Sequence, residues 1–365
     1  MIKSILKVFG VFLAGLLTLV GTLYLQSEWY TFEISAPFSG DTWYNPYEGC
    51  SGKPLLGNFH AHSNAWHGLT NGAGSVNEVV SVYSAFDFDF ASVSDYHKIS
   101  DAQNVNCIQP ASYEHGYGVF KNHQLIIGAK DITWFDFPFF QGVSQKQFII
   151  NRIRSNSADA VICLAHPSLR SAYTESDLQR LSGYDCFEAL NKLRKSFDLW
   201  DASLSSGCYS YILGSDDVHN YRDIGDIGRC GTVVFAEESS EHSILTALKQ
   251  GHHYAIEFPH RDGWDISERA RALKRNPQLI FQRMQSDTLV VQFSEKASSI
   301  SVYSDNHQIL ATAKDTSKIV LCLPHNATFA RVEGVFSSGH TIYLNPVART
   351  IDQLKPGLPL ATFNF

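Results

Sequence analysis

LLGNFHAH, residues 55–62, is the stretch on which the fold of this chain turns. A short apolar run ends in two histidines one residue apart. Residues two apart in an extended segment project to the same side, so His60 and His62 can reach one ion. Alone, this spacing is a common accident. Its weight comes from what stands at the ends of the later runs.

Those runs lie at 88–93, 125–127, 160–165, 185–190, 211–213 and 232–236. The second ends in Ser94-Asp95-Tyr96-His97 and the third in Gly128-Ala129-Lys130-Asp131. The fourth ends in His166-Pro167. The fifth holds Glu188 with Asn191 just after, and the sixth ends in Ser215-Asp216-Asp217-Val218-His219. Helix-like stretches fall between the runs at 75–85, 145–156, 174–181 and 241–250, the third opening on an approximate capping box, Thr174 to Asp177. Strand alternating with helix predicts an α/β domain with parallel strands. In parallel barrels the loops after the strands converge on one face. Each cluster has a plain explanation by itself: a surface histidine, a strand cap, a turn at Asp216-Asp217. Chance would have to place all of them at successive strand ends, so together they point to a pocket of imidazoles and carboxylates. Such ligands suit zinc, iron and manganese.

Composition sets the frame. The 365 residues are 44% apolar and 18% charged, an ordinary globular balance long enough for one large domain and a smaller one. Net charge is -7 without a Lys/Arg block, so no nucleic acid is expected as a partner. Lys3 and Lys7 precede an uncharged run, residues 8–25. At helical rise that run covers about 27 Å, close to the roughly 30 Å hydrocarbon core. An uncleaved anchor in residues 1–27 is the favoured reading, with the lysines in the cytoplasm and the body outside (periplasmic or cell surface). A cleaved signal peptide is the alternative, although no A-x-A-like site follows. The seven cysteines show no C-x-x-C spacing. Cys50 and Cys107, in polar surroundings, are the candidate pair if the domain is exported.

Residues 28–53 read as an irregular lead-in and 54–262 as the α/β domain. Residues 263–287 form a charged connector, with a helix-like stretch at 261–275. From 288 to 365 period-two segments separated by turn residues predict a small all-β domain. Asn326-Ala327-Thr328 matches a glycosylation sequon, which is weak evidence.

His60-x-His62, the Asp95/His97 cluster, Gly128-Ala129, Ala165-His166-Pro167, Glu188 and Asp217-x-His219 fall in an order that resembles the PHP (polymerase and histidinol phosphatase) metallohydrolases. The resemblance spans roughly residues 54–260. Residues 247–254 and Asn345-Pro346 resemble the branch that includes carbaryl hydrolases. It implies a distorted (βα)7 barrel with a two- or three-metal site, and hydrolysis of phosphoesters or, in that branch, of carbamates and esters. Three departures stand out. His67-Gly68 replaces the usual Asp-Gly, Tyr96 splits the Asp-His pair, and Lys130 stands where a bridging Glu is expected. Asp131 could bridge through a local bulge, Lys130 could be carboxylated, or Lys130 could replace one ion with a fixed charge.

The resemblance implies His60, His62 and Asp217 around one ion and His67, His97 and His219 around another. His166 completes the set, and Asp131 is the candidate bridge. Asp95 would carry protons or orient a histidine, and Lys130 is a further catalytic candidate. Arg170 would meet an anionic substrate. Asn191 and Glu188 would line the pocket or support ligands, with a purely structural role open for Glu188. The expected cofactors are two or three divalent ions (Zn, Mn or Fe), and the expected partners are a small-molecule ester and a membrane. A carbamate or carboxyl-ester hydrolase on the same site is one alternative. A non-catalytic binding protein on a degenerate barrel is the other, and Lys130 is the feature that favours it.

Overall fold

In the computed structural model, which describes residues 2–32, 35–274, 276–356 and 362–363, the apolar run becomes one exposed helix, Ile2–Leu25. Its Ser4–Leu25 portion is long and apolar enough to cross a membrane, a property that a signal sequence shares. Arg275 in the expected connector, and residues 357–361 and 364–365 of the expected β domain, fall outside the described residues.

The helices between the strands begin where the capping chemistry predicts. Ser75 caps Val76–Ala85, with the Glu78 carboxylate accepting from the Ser75 amide at 2.7 Å. Thr174 and Asp177 close a full capping box despite the shorter acid, and the Lys146 ammonium adds a 2.6 Å ion pair to Asp177. Val143–Asn156 and Glu241–Gln250 complete the expected set.

The described strands form a five-stranded and an eleven-stranded sheet, and Tyr30–Thr31 pairs separately with Thr362–Phe363. In the smaller, Val161–Leu164, Cys186–Asn191 and Tyr211–Ser215 run parallel. All three are buried, and strands covered on both faces read as unbroken apolar runs. Ahead of them Ser112–His115 and Gln124–Ile127 form an antiparallel pair, and Gln124–Ile127 is also antiparallel to Val161–Leu164. In the larger sheet Lys53–Asn58 is parallel to Phe90–Ala91 but antiparallel to Cys230–Ala236, which is antiparallel to His253–Glu257. The mixed α/β class stands, but a complete (βα)7 barrel is not seen among the described residues. Reversed strands interrupt the parallel order. Isolated parallel bridges, Ala61 to Val218 and Tyr96 to Glu114, join the two sheets near their strand ends.

The sheet does not stop at residue 262. His253–Glu257 pairs with Thr341–Leu344, which leads to Phe329–Val335, Thr288–Ser304 and Leu279–Gln285. Leu279–Gln285 falls inside the expected connector, after a short helix, Ile266–Lys274. Thr42–Tyr44, in the expected irregular lead-in, pairs with Val347–Thr350. All seven cysteines are free, so the expected Cys50–Cys107 bond is absent. Both thiols pack separately against the apolar cluster around Tyr47 and Phe88, where burial pushes them up to about 11 and about 12.

Asn345 fastens the sheets together. It is fully buried; its carbonyl accepts from the Ile212 amide at 2.7 Å, and its amide donates to Gly251 and His253 carbonyls at 3.0 and 2.8 Å. Asn345→Ala would take this partner from the Ile212 amide and the Gly251 carbonyl, at about 1–3 kcal/mol each, while the His253 carbonyl keeps the Tyr47 hydroxyl. Thermal unfolding followed by circular dichroism should show a clearly lowered midpoint. An unchanged midpoint would remove this role.

Candidate metal centre

The direction of each strand decides which of its ends reaches the site. Val161–Leu164 delivers His166 from its C-terminal end, and Tyr211–Ser215 delivers Asp217 in the same way. Lys53–Asn58 delivers His60 and His62. Gln124–Ile127 runs the other way, so its N-terminal neighbour His123 lies at this face, with its carbonyl accepting from the Ala165 amide at 3.2 Å. Its C-terminal continuation, Gly128 to Asp131, leaves at the opposite end, where the Gly128 amide bonds the Ala111 carbonyl at 2.6 Å. The antiparallel neighbour Ser112–His115 brings Glu114 into the centre.

Glu114 lies fully buried among four imidazoles. Its Oε2 is 3.1 Å from His62 Nε2 and 3.4 Å from His60 Nε2. Its Oε1 meets His166 Nε2 at 3.0 Å and His123 Nδ1 at closer range. Asp217 Oδ1 stands 3.2 Å from His62 Nε2 and 3.4 Å from His60 Nε2. Two donor sets result, each with ligand atoms within 4.8 Å of one another: His60, His62 and Asp217, and His60, Glu114 and His166. Glu114 turns Oε2 toward His60 and His62 and Oε1 toward His166 and His123, the disposition a bridging carboxylate would have. Several of these buried atoms have no hydrogen-bond partner, among them His60 Nε2, His62 Nε2, Glu114 Oε2 and Asp217 Oδ1. Buried polar atoms rarely stay unpaired, and this donor set fits divalent-metal binding.

The outer contacts orient the donors. His60 Nδ1 lies 3.0 Å from Glu188 Oε1 and can donate to it, so that Nε2 faces the cluster. The other Glu188 oxygen accepts from the His166 amide at 2.7 Å and from the Asn191 side chain at 3.1 Å. His166 and Asp217 both hold left-handed backbone, with φ of 30° and 54°. A non-glycine residue held there costs about 1–3 kcal/mol.

Burial opposes charge on every member, yet His60, His62, His166, Glu114 and Asp217 hold one another ionised. Burial would lower His62, but the Asp217 and Glu114 carboxylates beside it push it up to about 9. Burial also works against His60 and His166, and the surrounding carboxylates likewise raise both. Burial would raise Glu114 and Asp217, but the imidazoles hold both well below the carboxylate range. At His123 burial wins and lowers the imidazole to about 4.

The structure brings together His60, His62, His166 and Asp217 of the expected set. His219 adjoins them, its ring 4.4 Å from that of His62 and its Nδ1 3.0 Å from the Asp217 carbonyl. The expected bridge is corrected: Lys130 and Asp131 are exposed, because their strand runs opposite to its neighbours. His67 is corrected too, since it lies exposed on the Ala65–Gly68 turn. Both ring nitrogens of His97 are taken, Nδ1 by the Thr133 carbonyl and Nε2 by the Gly116 amide, so no lone pair is left for an ion. Asp95 touches no imidazole of the cluster. It accepts from the Ser63 amide at 2.7 Å and hydroxyl at 2.6 Å, which fixes the loop just after His62. Asn191 spends its side chain on Glu188 and the Leu193 amide. Arg170 is exposed and donates to the Val119 carbonyl.

Glu114, His123 and Tyr96 are the residues that sequence reasoning missed as site members. Tyr96 stacks on His62 at 4.8 Å, and burial, then the nearby Glu114 and Asp217 carboxylates, raise its phenol far above the usual value. A polar Glu114-His115 pair between Pro110 and Gly116 was the available signal for a buried polar strand.

No protein-family model and no curated protein matches this chain. Among solved structures it is similar to a two-domain protein from Bacteroides vulgatus ATCC 8482, described as containing a predicted PHP-like metal-dependent phosphoesterase. Identity is 14%, covering 92% of this chain and 100% of the other, with a TM-score of 0.43. At that distance the chemistry of this chain is read from its own donor set.

Glu114→Gln should sharply lower bound metal measured by elemental analysis, while Lys130→Ala leaves it unchanged. Glu188→Gln should weaken affinity roughly 10–100-fold, the usual cost of losing a partner that orients a ligand. Equal loss in the Lys130 variant would return the bridge to that loop. The pH dependence has two opposite signs. Stability of the chelated protein from the raised histidines is complete below their ordinary value and fades as pH climbs toward about 9 for His62. Metal affinity rises over the same window, because the ion must displace those protons. Calorimetry in buffers of differing ionisation enthalpy should count proton release on metal binding, and none released would contradict the assignment.

Proposed function

We propose that this chain is a membrane-anchored, divalent-metal-dependent hydrolase that acts as a phosphoesterase on a small-molecule ester. The observation that carries this reading is the buried Glu114 carboxylate, with one oxygen toward His60 and His62, which also face Asp217, and the other toward His123 and His166. A single structural ion would need no such bridge. A decayed binding barrel would not be expected to keep Glu188 and Asn191 aligned on His60 and His166. The chemistry supplied by divalent ions in such a set is activation of water near neutral pH and neutralisation of charge on an ester oxygen. The ligands assigned are His60, His62, Glu114, His123, His166 and Asp217, with His219 beside them.

The chain's own residues have separable tasks. Tyr96 holds its proton at all working pH and presents a hydroxyl at the edge of the donor set, where it can donate to a developing oxyanion. Lys121, with its ammonium 5.3 Å from the Tyr96 ring, and Arg170 at the rim supply positive charge for an anionic ester. Asp95 positions the loop that follows His62 through Ser63. The apolar Ile2–Leu25 helix supports anchoring, with the body on the extracytoplasmic side.

Purified full-length protein should hydrolyse p-nitrophenyl phosphate, lose the activity to chelation and regain it with Zn, Mn or Fe. Tyr96→Phe should lower kcat by roughly 10²-fold, with metal content unchanged. Naphthyl esters tested in parallel separate the carboxyl-ester alternative: turnover of these alone would overturn the phosphoesterase assignment. Absence of bound metal in the active preparation would sink the metallohydrolase reading altogether.

A further inference from the structure

Beside the site the chain exposes apolar side chains that the core does not use. Val119, Phe120, Phe139 and Phe140 are 50%, 44%, 52% and 69% exposed. Scattered apolar residues at a surface are ordinary, but contiguous ones call for an occupant. These are contiguous: the rings of Phe120 and Phe140 lie 6.4 Å apart, and the Val119 amide bonds the Pro138 carbonyl at 3.1 Å.

The patch has two neighbours. One is the end of the apolar helix. Tyr24 sets its ring 5.0 Å from that of Phe137, donates its hydroxyl to the Phe140 carbonyl at 2.9 Å and accepts from the Phe139 amide at 3.2 Å. Trp29, shortly after the helix, is 74% exposed. The other neighbour is the metal centre. Lys121 follows Phe120 and lies over Tyr96, which stacks on His62. Arg170 holds the Val119 carbonyl at 3.2 Å. The path from helix to donor set is short and continuous, with two cations at its inner edge.

We propose that the Val119-Phe120 and Phe139-Phe140 surface rests in the interfacial layer of the bilayer that holds the Ile2–Leu25 helix. The metal centre then opens at the membrane surface and takes a phosphoester carried on a lipid. This inference rests on the membrane-anchored phosphoesterase reading and adds the substrate class to it. Aromatic side chains settle at the level of lipid headgroups. Tyr24 ties the patch directly to the helix end, so a helix in the bilayer brings the patch to its surface. Lys121 and Arg170 are placed to meet an anionic headgroup. The bilayer is favoured over a protein partner because the patch continues from the one segment, among the described residues, long and apolar enough to enter it.

The test uses the full chain in nanodiscs of phosphatidylcholine and phosphatidylglycerol. Phe140→Trp adds a reporter, whose extra emission should be blue-shifted and quenched when the phosphatidylcholine is brominated in its acyl chains. Unquenched emission at the water-exposed maximum would overturn the insertion. Phosphatidic acid in the disc should compete against p-nitrophenyl phosphate turnover at least about tenfold more strongly than glycerol phosphate at equal bulk concentration. Equal competition would overturn the lipid substrate. Replacing Phe120, Phe139 and Phe140 together by serine should remove the phosphatidic acid preference and leave p-nitrophenyl phosphate turnover intact. Quenching without any phosphatase activity would count against the phosphoesterase reading, whereas activity without quenching counts against this inference alone.

Discussion

A carboxylate with no access to water sits at the middle of this protein, and the surrounding architecture answers to it. Burying an isolated charge is prohibitive unless it is paired and hydrogen-bonded. Glu114 meets that condition by drawing His60, His62, His123 and His166 around it from three separate strands. The same imidazoles, His123 apart, face Asp217. Removing any one of them leaves its neighbours short of a partner, so the cluster forms as a unit. A divalent cation would satisfy the donors that the side chains cannot satisfy among themselves.

Precision in such a cluster comes from behind it. Glu188 is buried, holds the His60 ring by one oxygen and the His166 backbone by the other, and is itself held by Asn191. Asp95 does comparable work for the loop after His62. Asp216, next to Asp217, accepts from the Gly228, Arg229 and Cys230 amides and the Tyr83 hydroxyl, and so pins the left-handed turn at Asp217. Asp95 looks like a proton carrier in a one-dimensional reading, whereas Glu188 reads as a supporting residue and Asp216 as part of a turn. Their hydrogen bonds show that they hold the backbone in place.

The C-terminal strands belong to the same construction. They continue the sheet that carries His60 and His62, through the pairing of His253–Glu257 with Thr341–Leu344. Asn345 then ties that sheet to the strand bearing Asp217. A buried ion pair of Asp201 with Arg331, joined by the exposed His307, links the Phe197–Ser205 helix to the C-terminal strands. The late segment therefore braces the centre from behind.

Much of the fold and site was legible in the chain itself. Buried strands had to be apolar runs, and Ser75, Thr174 and the 241–250 segment carry their capping or periodicity locally, so elements and boundaries could be read from composition and spacing. His60, His62, His166 and Asp217 could be read too, because each directly follows a strand whose C-terminal end faces the site. Strand direction could not be read. Gln124–Ile127 runs antiparallel to Val161–Leu164, which exchanges its ends: His123, ahead of the run, enters the centre, and Lys130 and Asp131, behind it, face solvent. Ser112–His115 has too few apolar residues to announce itself, because its burial is compensated by ionic contacts in place of apolar packing. The sequence by itself determined which chemical groups were available and most of the segments that carry them. Only the tertiary structure decided that Glu114 stands at the middle of the donor cluster, since that depends on strand direction and on pairing between distant segments, neither of which leaves a local mark.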